Sequence, residues 1–354
     1  MSAVEKERER VRSRPGRGGP SGTLRAGASP TPAVLGETIT GWTGRDVGPE
    51  DGASVAGEDQ VCAPPRSDVS AGSTIGRHRV LRHLASGGMG VIYHAEDLEL
   101  GGEVAIKVPH ERLLENRGAM LRFLAEGSAA ARVAHPGVVR VLDRGWFSGG
   151  PYLAMEYLPG ENLRGLLERR PRLPISRVLD IGTQIGRALA AVHEAGVVHC
   201  DVKPANIHLV REACPAGRRV VKVIDFGVAR VSGEARPLIA RPGDLIGTPC
   251  YMAPEQGVDA CAADRRSDIY SLGCVLYQLA TGCVPFRGST LQTLIAHRTE
   301  APAPPASLRG DLPRGLDALI LNMMAKSPDR RPCTVMDVVG ALGRIEPDRS
   351  ARAA

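Results

Sequence analysis

The hydrophobic period of this chain changes at Pro159, and that change limits the folds open to it. Upstream, residues 79–84, 91–95 and 103–108 alternate or run apolar, the pattern of half-buried strands. Residues 138–142 and 152–156 read as two further strands. Residues 113–133 carry helical spacing up to His135-Pro136-Gly137, where a helix must stop. Downstream, residues 178–195 form an amphipathic helix closed by Gly196, and residues 268–281, 315–324 and 335–342 are helical as well. Residues 220–224 read as a short buried strand. The expected organisation is α+β in two parts: a strand-rich lobe with one long helix, joined near residues 156–160 to a helix-rich lobe.

Ahead of residue 75 neither period is present. Twelve Gly and seven Pro make up a quarter of residues 1–75, and Trp42 is their sole aromatic. Such a stretch cannot bury enough surface to offset the entropy of ordering it. Residues 1–74 therefore read as a disordered low-complexity tail, either merely flexible or a docking and self-phosphorylation segment. The domain is placed at residues 75–345, followed by a short tail at 346–354. Its core must be filled by Leu, Val, Ile and Ala, because the apolar fraction is 43% and aromatics supply only 3%.

No stretch nears the ~20 consecutive apolar residues of a membrane span. Residues 1–14 alternate Glu with Arg and lack the apolar core of a secretory signal. The eight cysteines form no CxxC pair, which argues against a zinc site or disulfide framework and for a reduced, cytoplasmic setting. The net charge is +6, and residues 1–75 hold nine Lys/Arg against ten Asp/Glu, so the rest carries +7. Spread without a dense basic run or interleaved aromatics, that balance suits an anionic ligand rather than nucleic acid.

The chemistry sits in a few short segments. Leu84-Ala85-Ser86-Gly87-Gly88-Met89-Gly90-Val91-Ile92 lies between two strands. Its glycines let backbone N–H groups approach phosphate oxygens, and they suit a hairpin turn equally well. Lys107 ends an apolar strand, where a lysine either snorkels outward or meets a carboxylate. Glu126 on the following helix is the candidate partner, with a surface pair to Arg122 as its alternative. Residues 199–206 (His-Cys-Asp-Val-Lys-Pro-Ala-Asn) are more specific. Pro204 excludes a regular helix or central strand, so Asp201, Lys203 and Asn206 share a loop. Together they can orient a hydroxyl, neutralise phosphate oxygens and hold a metal ion. Asp225, in Ile224-Asp225-Phe226-Gly227, places a second carboxylate at the end of the next strand.

In this order, the glycine loop, Val104-Ala105-Ile106-Lys107, residues 199–206, Asp225-Phe226-Gly227 and Ala253-Pro254-Glu255 resemble the eukaryotic-type serine/threonine protein kinases. The resemblance covers about residues 75–345. Its most specific part is residues 247–256 (Gly-Thr-Pro-Cys-Tyr-Met-Ala-Pro-Glu-Gln). That phrase, with Gly87-Gly88-Met89-Gly90 and Leu153-Ala154-Met155-Glu156-Tyr157, points to the bacterial branch.

What the resemblance implies is a two-lobed protein kinase fold, with a β-rich N-lobe at about 75–156, a helical C-lobe at about 159–345 and ATP between them. The expected reaction is transfer of the γ-phosphate of Mg-ATP to Ser/Thr hydroxyls of protein substrates, the chain itself included. Residues 84–92 would enclose the nucleotide, and the backbone from Glu156 to Leu158 would bond the adenine beside a Met155 gatekeeper. Lys107 would hold the α/β-phosphates and Glu126 would hold Lys107. Asn206 and Asp225 would bind Mg2+, Asp201 would accept or orient the hydroxyl proton, and Lys203 would contact the γ-phosphate. Thr248 would support the choice of Ser/Thr. Glu255 and Arg331 would form a buried ion pair, and Asp268 would anchor the catalytic loop.

Two positions depart from the family pattern. Ala85 replaces the first loop glycine, so a position requiring φ > 0 would close less tightly and bind ATP less well. Cys200 replaces the Arg that pairs with a phosphorylated activation segment, and Ser232 and Thr248 are the only Ser/Thr between Gly227 and Ala253. The expectation is a kinase that needs no activation-loop phosphorylation. The rival readings are a pseudokinase scaffold, against which Lys107, Glu126, Asp201, Asn206 and Asp225 all stand, and a small-molecule phosphotransferase, which would lack residues 247–256.

Overall fold

Alternation of buried and exposed side chains upstream of Pro159 produces one six-stranded antiparallel sheet. A computed structural model describes residues 68–211, 219–226, 230–231, 248–259 and 262–346. Residues 1–67 and 347–354, with Gly227, Ser232 and Gly247, lie outside the described residues. The strands are β1 (Thr74–Ile75), β2 (His78–Ser86), β3 (Gly90–Asp97), β4 (Glu103–Pro109), β5 (Val141–Phe147) and β6 (Gly150–Glu156), in the spatial order β1-β2-β3-β4-β6-β5. Val69 is already buried with Ile75, Val80 and Tyr93, so packing begins a few residues ahead of residue 75.

The single helix expected over residues 113–133 is two. The short α1 (Glu111–Leu114) precedes α2 (Arg117–Ala130), and Asn116 separates them because its side chain accepts the Ala119 N–H as an N-cap. The strand expected over residues 138–142 starts only at Val141. Val138 and Val139 are instead taken by the other lobe: Val139 N–H donates to the Val223 carbonyl at 3.0 Å and Val223 N–H to the Gly137 carbonyl at 2.8 Å.

Beyond residue 159 the structure is mainly helical. β7 (Gly160–Asn162) leads into α3 (Leu163–Arg169) and α4 (Ile175–Glu194), then β8 (Val197–Val198), β9 (Ile207–Arg211), β10 (Arg219–Val223) and β11 (Arg230–Val231). The order β10-β9-β7 forms a small antiparallel sheet, and β11 pairs with β8. The remaining helices are α5 (Arg265–Thr281), α6 (Thr290–Thr299), α7 (Pro305–Leu308), α8 (Arg314–Met323) and α9 (Val335–Gly343). α5 is started by an Asp264/Ser267 capping box and ended at Gly282, whose φ of 86° is the left-handed conformation glycine tolerates. Its length is almost wholly buried, which explains the apolar run that reads as a core helix. Gly182 and Gly186 let α4 lie close to its neighbours, since a Cβ there would meet Leu276 at 2.7 Å and Val339 at 2.6 Å. Among the described residues no helix is long and apolar enough to cross a membrane. The chain has the two-lobed architecture expected of it, a curled sheet with one main helix over a helical lobe.

Candidate active site

The site is assembled where the two lobes meet. Strand period two puts Val104, Ile106 and Val108 into the sheet's own core and turns Lys107 to the opposite face, toward α2. On α2, Phe123, Glu126 and Ala130 share one buried stripe, and Gly127 allows close approach to β6, where a Cβ would meet Leu153 at 2.8 Å. Glu126 is 3% exposed and receives the Lys107 Nζ at 2.6 and 2.8 Å. Lys107 neither snorkels nor leaves Glu126 to a surface pair. Its ammonium also reaches Asp225 Oδ1 at 3.1 Å, across the lobe boundary.

Two carboxylates thus share one ammonium. Burial disfavours the Lys107 charge, but Asp225 and Glu126 together outweigh it and raise the lysine above its ordinary value. Glu126, the more deeply buried acid, is pushed up to about 7 by burial, against Lys107 and with the repulsion of Asp225. Asp225 is 39% exposed on its side chain and, despite burial, is held below the usual carboxylate range chiefly by Lys107.

The loop at residues 199–206 is anchored from below. Asp268, fully buried on α5, accepts the backbone N–H groups of His199 at 2.9 Å and Cys200 at 2.8 Å, and pairs with His193 Nε2 at 2.8 Å. Gln256 ties the same turn to the segment after Thr248: its amide donates to the Cys200 carbonyl at 2.9 Å and its oxygen accepts the Ala253 N–H. Held so, Cys200 takes φ 63° and Asp225 φ 65°, the positive-φ non-glycine residues among those described. L side chains rarely adopt that region, and at Cys200 the strain is carried where the loop meets its anchors.

Three of the loop's polar side chains converge. Lys203 Nζ lies 2.8 Å from Asp201 Oδ2 and donates to Thr248 Oγ1 at 2.8 Å. The Asn206 amide donates to the Asp201 carbonyl at 3.0 Å and to Oδ2 at 3.1 Å, which leaves its own oxygen as an acceptor. Burial raises the Asp201 carboxyl, opposed by Lys203 and reinforced by the negative charge of Asp225. A carboxylate with raised basicity, a cation beside it and a hydroxyl-bearing residue opposite form a general-base arrangement.

In the glycine loop, Ala85 lies inside β2, paired with Ile92 and without positive φ, so the conformation feared for it is not required. The close approach belongs to Gly90, where a Cβ would stand 2.1 Å from the Val108 carbonyl. Around Gly88 nothing lies within 4 Å of that position, so bare backbone is presented. Leu84, Ser86, Met89 and Val91 complete the segment, Val91 in the sheet core.

Residues 156–158 are gripped from both lobes. The Glu156 carboxylate accepts the Arg140 N–H at 2.8 Å and Lys222 Nζ at 2.5 Å, while Glu156 N–H donates to the Arg140 carbonyl at 3.0 Å. Tyr157 stacks on His94 with ring centroids 4.0 Å apart, and Arg82 donates to its hydroxyl at 3.2 Å. Met155, 9% exposed, precedes them on β6. Sequence spacing gave no sign of Lys222 or His94, because their partners lie on other elements, and Gln256 was marked only as the end of the 247–256 phrase, without its bond to Cys200.

In the other lobe, Arg331 has a wholly buried side chain and meets Glu255 in two bonds of 2.7 and 2.8 Å.

A family model described as protein kinase domain matches residues 78–340. The chain is 37% identical over 292 residues to the serine/threonine-protein kinase pkn3 of Myxococcus xanthus, covering 80% of this chain and 53% of that protein. It is 36% identical over 274 residues to the serine/threonine-protein kinase PknB of Mycolicibacterium smegmatis, covering 76% and 43%. The chain spans about a third to a half of the length of such curated relatives, 33% in another Myxococcus xanthus kinase, pkn2. The crystal structure of the Mycobacterium tuberculosis PknI kinase domain is similar with a TM-score of 0.60 at 29% identity, covering 78% of this chain and 98% of that one.

Proposed function

The chain belongs to the protein kinase domain family, and from that premise we propose that it transfers the γ-phosphate of Mg-ATP to Ser/Thr hydroxyls of proteins, itself included. The observation that carries this reading is the convergence of Asp201, Lys203 and Thr248 in one lobe with the Lys107–Glu126–Asp225 cluster between the lobes.

The residues present fit the implied ligands. Asp225 and the Asn206 oxygen are hard oxygen donors, and among the described residues no cluster of three or more His/Cys/Asp/Glu forms a closed metal cage. That is the donor set of magnesium, which takes one or two carboxylates plus phosphate oxygens. Bound there, the ion spreads the charge of those oxygens. Bare backbone at Gly88 fits phosphate, and residues 156–158, gripped from both lobes, fit the base.

Each residue then has a task. Lys107, steadied by Glu126, neutralises phosphate charge. Asp201 takes the proton of the acceptor hydroxyl, and its raised basicity suits that transfer. Lys203, between Asp201 and Thr248, balances charge on the moving phosphoryl group. Catalysis is positioning and electrostatics. Cys200 cannot pair with a phosphate as Arg does, and Asp268 and Gln256 already hold its backbone, so activity does not require a phosphorylated activation segment.

The test is phosphate transfer from Mg-ATP to a generic basic protein and to the chain itself, beside Asp201→Asn. Transfer lost in the variant supports the reading. Wild-type protein that binds ATP and transfers nothing points to a pseudokinase scaffold. Phosphatase-treated protein should keep its activity; a large loss restored by loop phosphorylation alone would overturn the Cys200 argument.

A further inference from the structure

The glycine loop is tied down by a histidine that none of the sequence motifs contains. His110 follows Lys107 by three residues, just past the end of β4 at the N-cap of α1, and is 6% exposed. Its Nε2 lies 2.7 Å from the Gly87 carbonyl. A carbonyl can only accept, so Nε2 carries the proton and donates. Gly87 N–H in turn donates to the Gly90 carbonyl at 2.8 Å, closing the loop into a turn. That turn rests on the strand below, for Gly90 stacks against Val108 and Pro109 with no room for a Cβ. At the other root, His83 Nε2 lies 2.9 Å from Ser86 Oγ.

We propose that His110 is a positioning residue for the nucleotide phosphates: through its hydrogen bond to the Gly87 carbonyl it holds the glycine loop at a fixed height above Lys107. This rests on the kinase reading of the site and deepens it. The strand that delivers the phosphate-binding lysine also delivers the latch for the phosphate-binding loop. A loop held in advance need not be ordered when the nucleotide arrives, and that saved ordering appears as affinity. Because the ring's hydrogen bond goes to Gly87, its effect falls on ligands that carry phosphates.

The experiment measures dissociation constants of Mg-ATP and of adenosine for the full chain, His110→Ala and His110→Gln. The alanine variant should bind Mg-ATP roughly tenfold more weakly, the weight of one buried hydrogen bond, with adenosine affinity unchanged. Glutamine, whose amide can donate in place of Nε2, should restore most of the loss. The proposal is overturned if His110→Ala binds Mg-ATP as tightly as wild type, or if ATP and adenosine weaken together, which would mark a general structural role. If wild-type protein binds neither ligand, the kinase reading itself fails, and this inference with it.

Discussion

Lys107 lies 2.6 Å from Glu126 and 3.1 Å from Asp225, so one ammonium answers to two carboxylates on different lobes. The triad is one charge short of neutral, and burial raises the Glu126 carboxyl, whose pKa is pushed up to about 7.

Catalytic efficiency toward ATP should therefore rise as pH increases through about 7, because protonated Glu126 cannot balance Lys107. Measuring kcat/KM for ATP from about pH 5.5 to about pH 8.5 checks this. In Glu126→Gln that limb should vanish and efficiency should be low throughout. Titration of Asp201 persists in both proteins, so the limb that disappears belongs to Glu126. An unchanged limb in the variant refutes the assignment.

The pair formed by Arg331 and Glu255 predicts a stability effect. Arg331→Met strands the Glu255 carboxylate and should cost roughly 3–5 kcal/mol, read as a lower urea midpoint. Burial works against Glu255, but its bonds to Arg331 win and hold its pKa below the ordinary value. A depressed folded pKa gives stability that is full above the unfolded value and lost as pH falls through the folded one. The gap between wild type and variant should accordingly narrow in acid.

Asp268→Asn replaces an oxygen facing backbone donors with an NH2 group. The turn at Cys200, already at φ 63°, loses an anchor and Asp201 shifts with it. The turnover number should fall by about 100-fold, while the affinity for ATP, set in the other lobe and at residues 156–158, changes little. Equal losses in both would contradict the argument.

Lys222→Met leaves the Glu156 carboxylate, among the described residues, with the Arg140 N–H. The KM for ATP should rise by about threefold to tenfold, a part of the weight of one charge-assisted bond felt indirectly at the base, with turnover nearly constant and recovery in Lys222→Arg. Steady-state kinetics with varied ATP decide it.

Much of this was legible in the sequence because local rules governed it. Strand alternation marked β2, β3 and β4, and Pro204 marked the loop bearing Asp201, Lys203 and Asn206. Where tertiary contacts overrode local signals, the pattern misled. Residues 113–133 look continuous, yet Asn116 caps a second helix. Val138 and Val139 look like the start of a strand and instead bond to β10. Ala85 looked like a defect from its type alone, and only its register opposite Ile92 shows that no glycine is needed there. His110, His94 and Lys222 carried no motif, since the groups they hold are a carbonyl, a ring and a carboxylate brought near by folding.

The bonds between β10 and residues 137–139 have a mechanical consequence. By sequence that stretch belongs to the upper lobe, yet it is fastened to the lower one, so the chain crosses between the lobes three times: between residues 130 and 137, at residues 140–141 and again at 156–158. The last two crossings are themselves clasped, by Arg140 N–H on the Glu156 carboxylate and Glu156 N–H on the Arg140 carbonyl. A body hung on one strand can swivel freely, whereas one hung on two adjoining pins can only swing like a door.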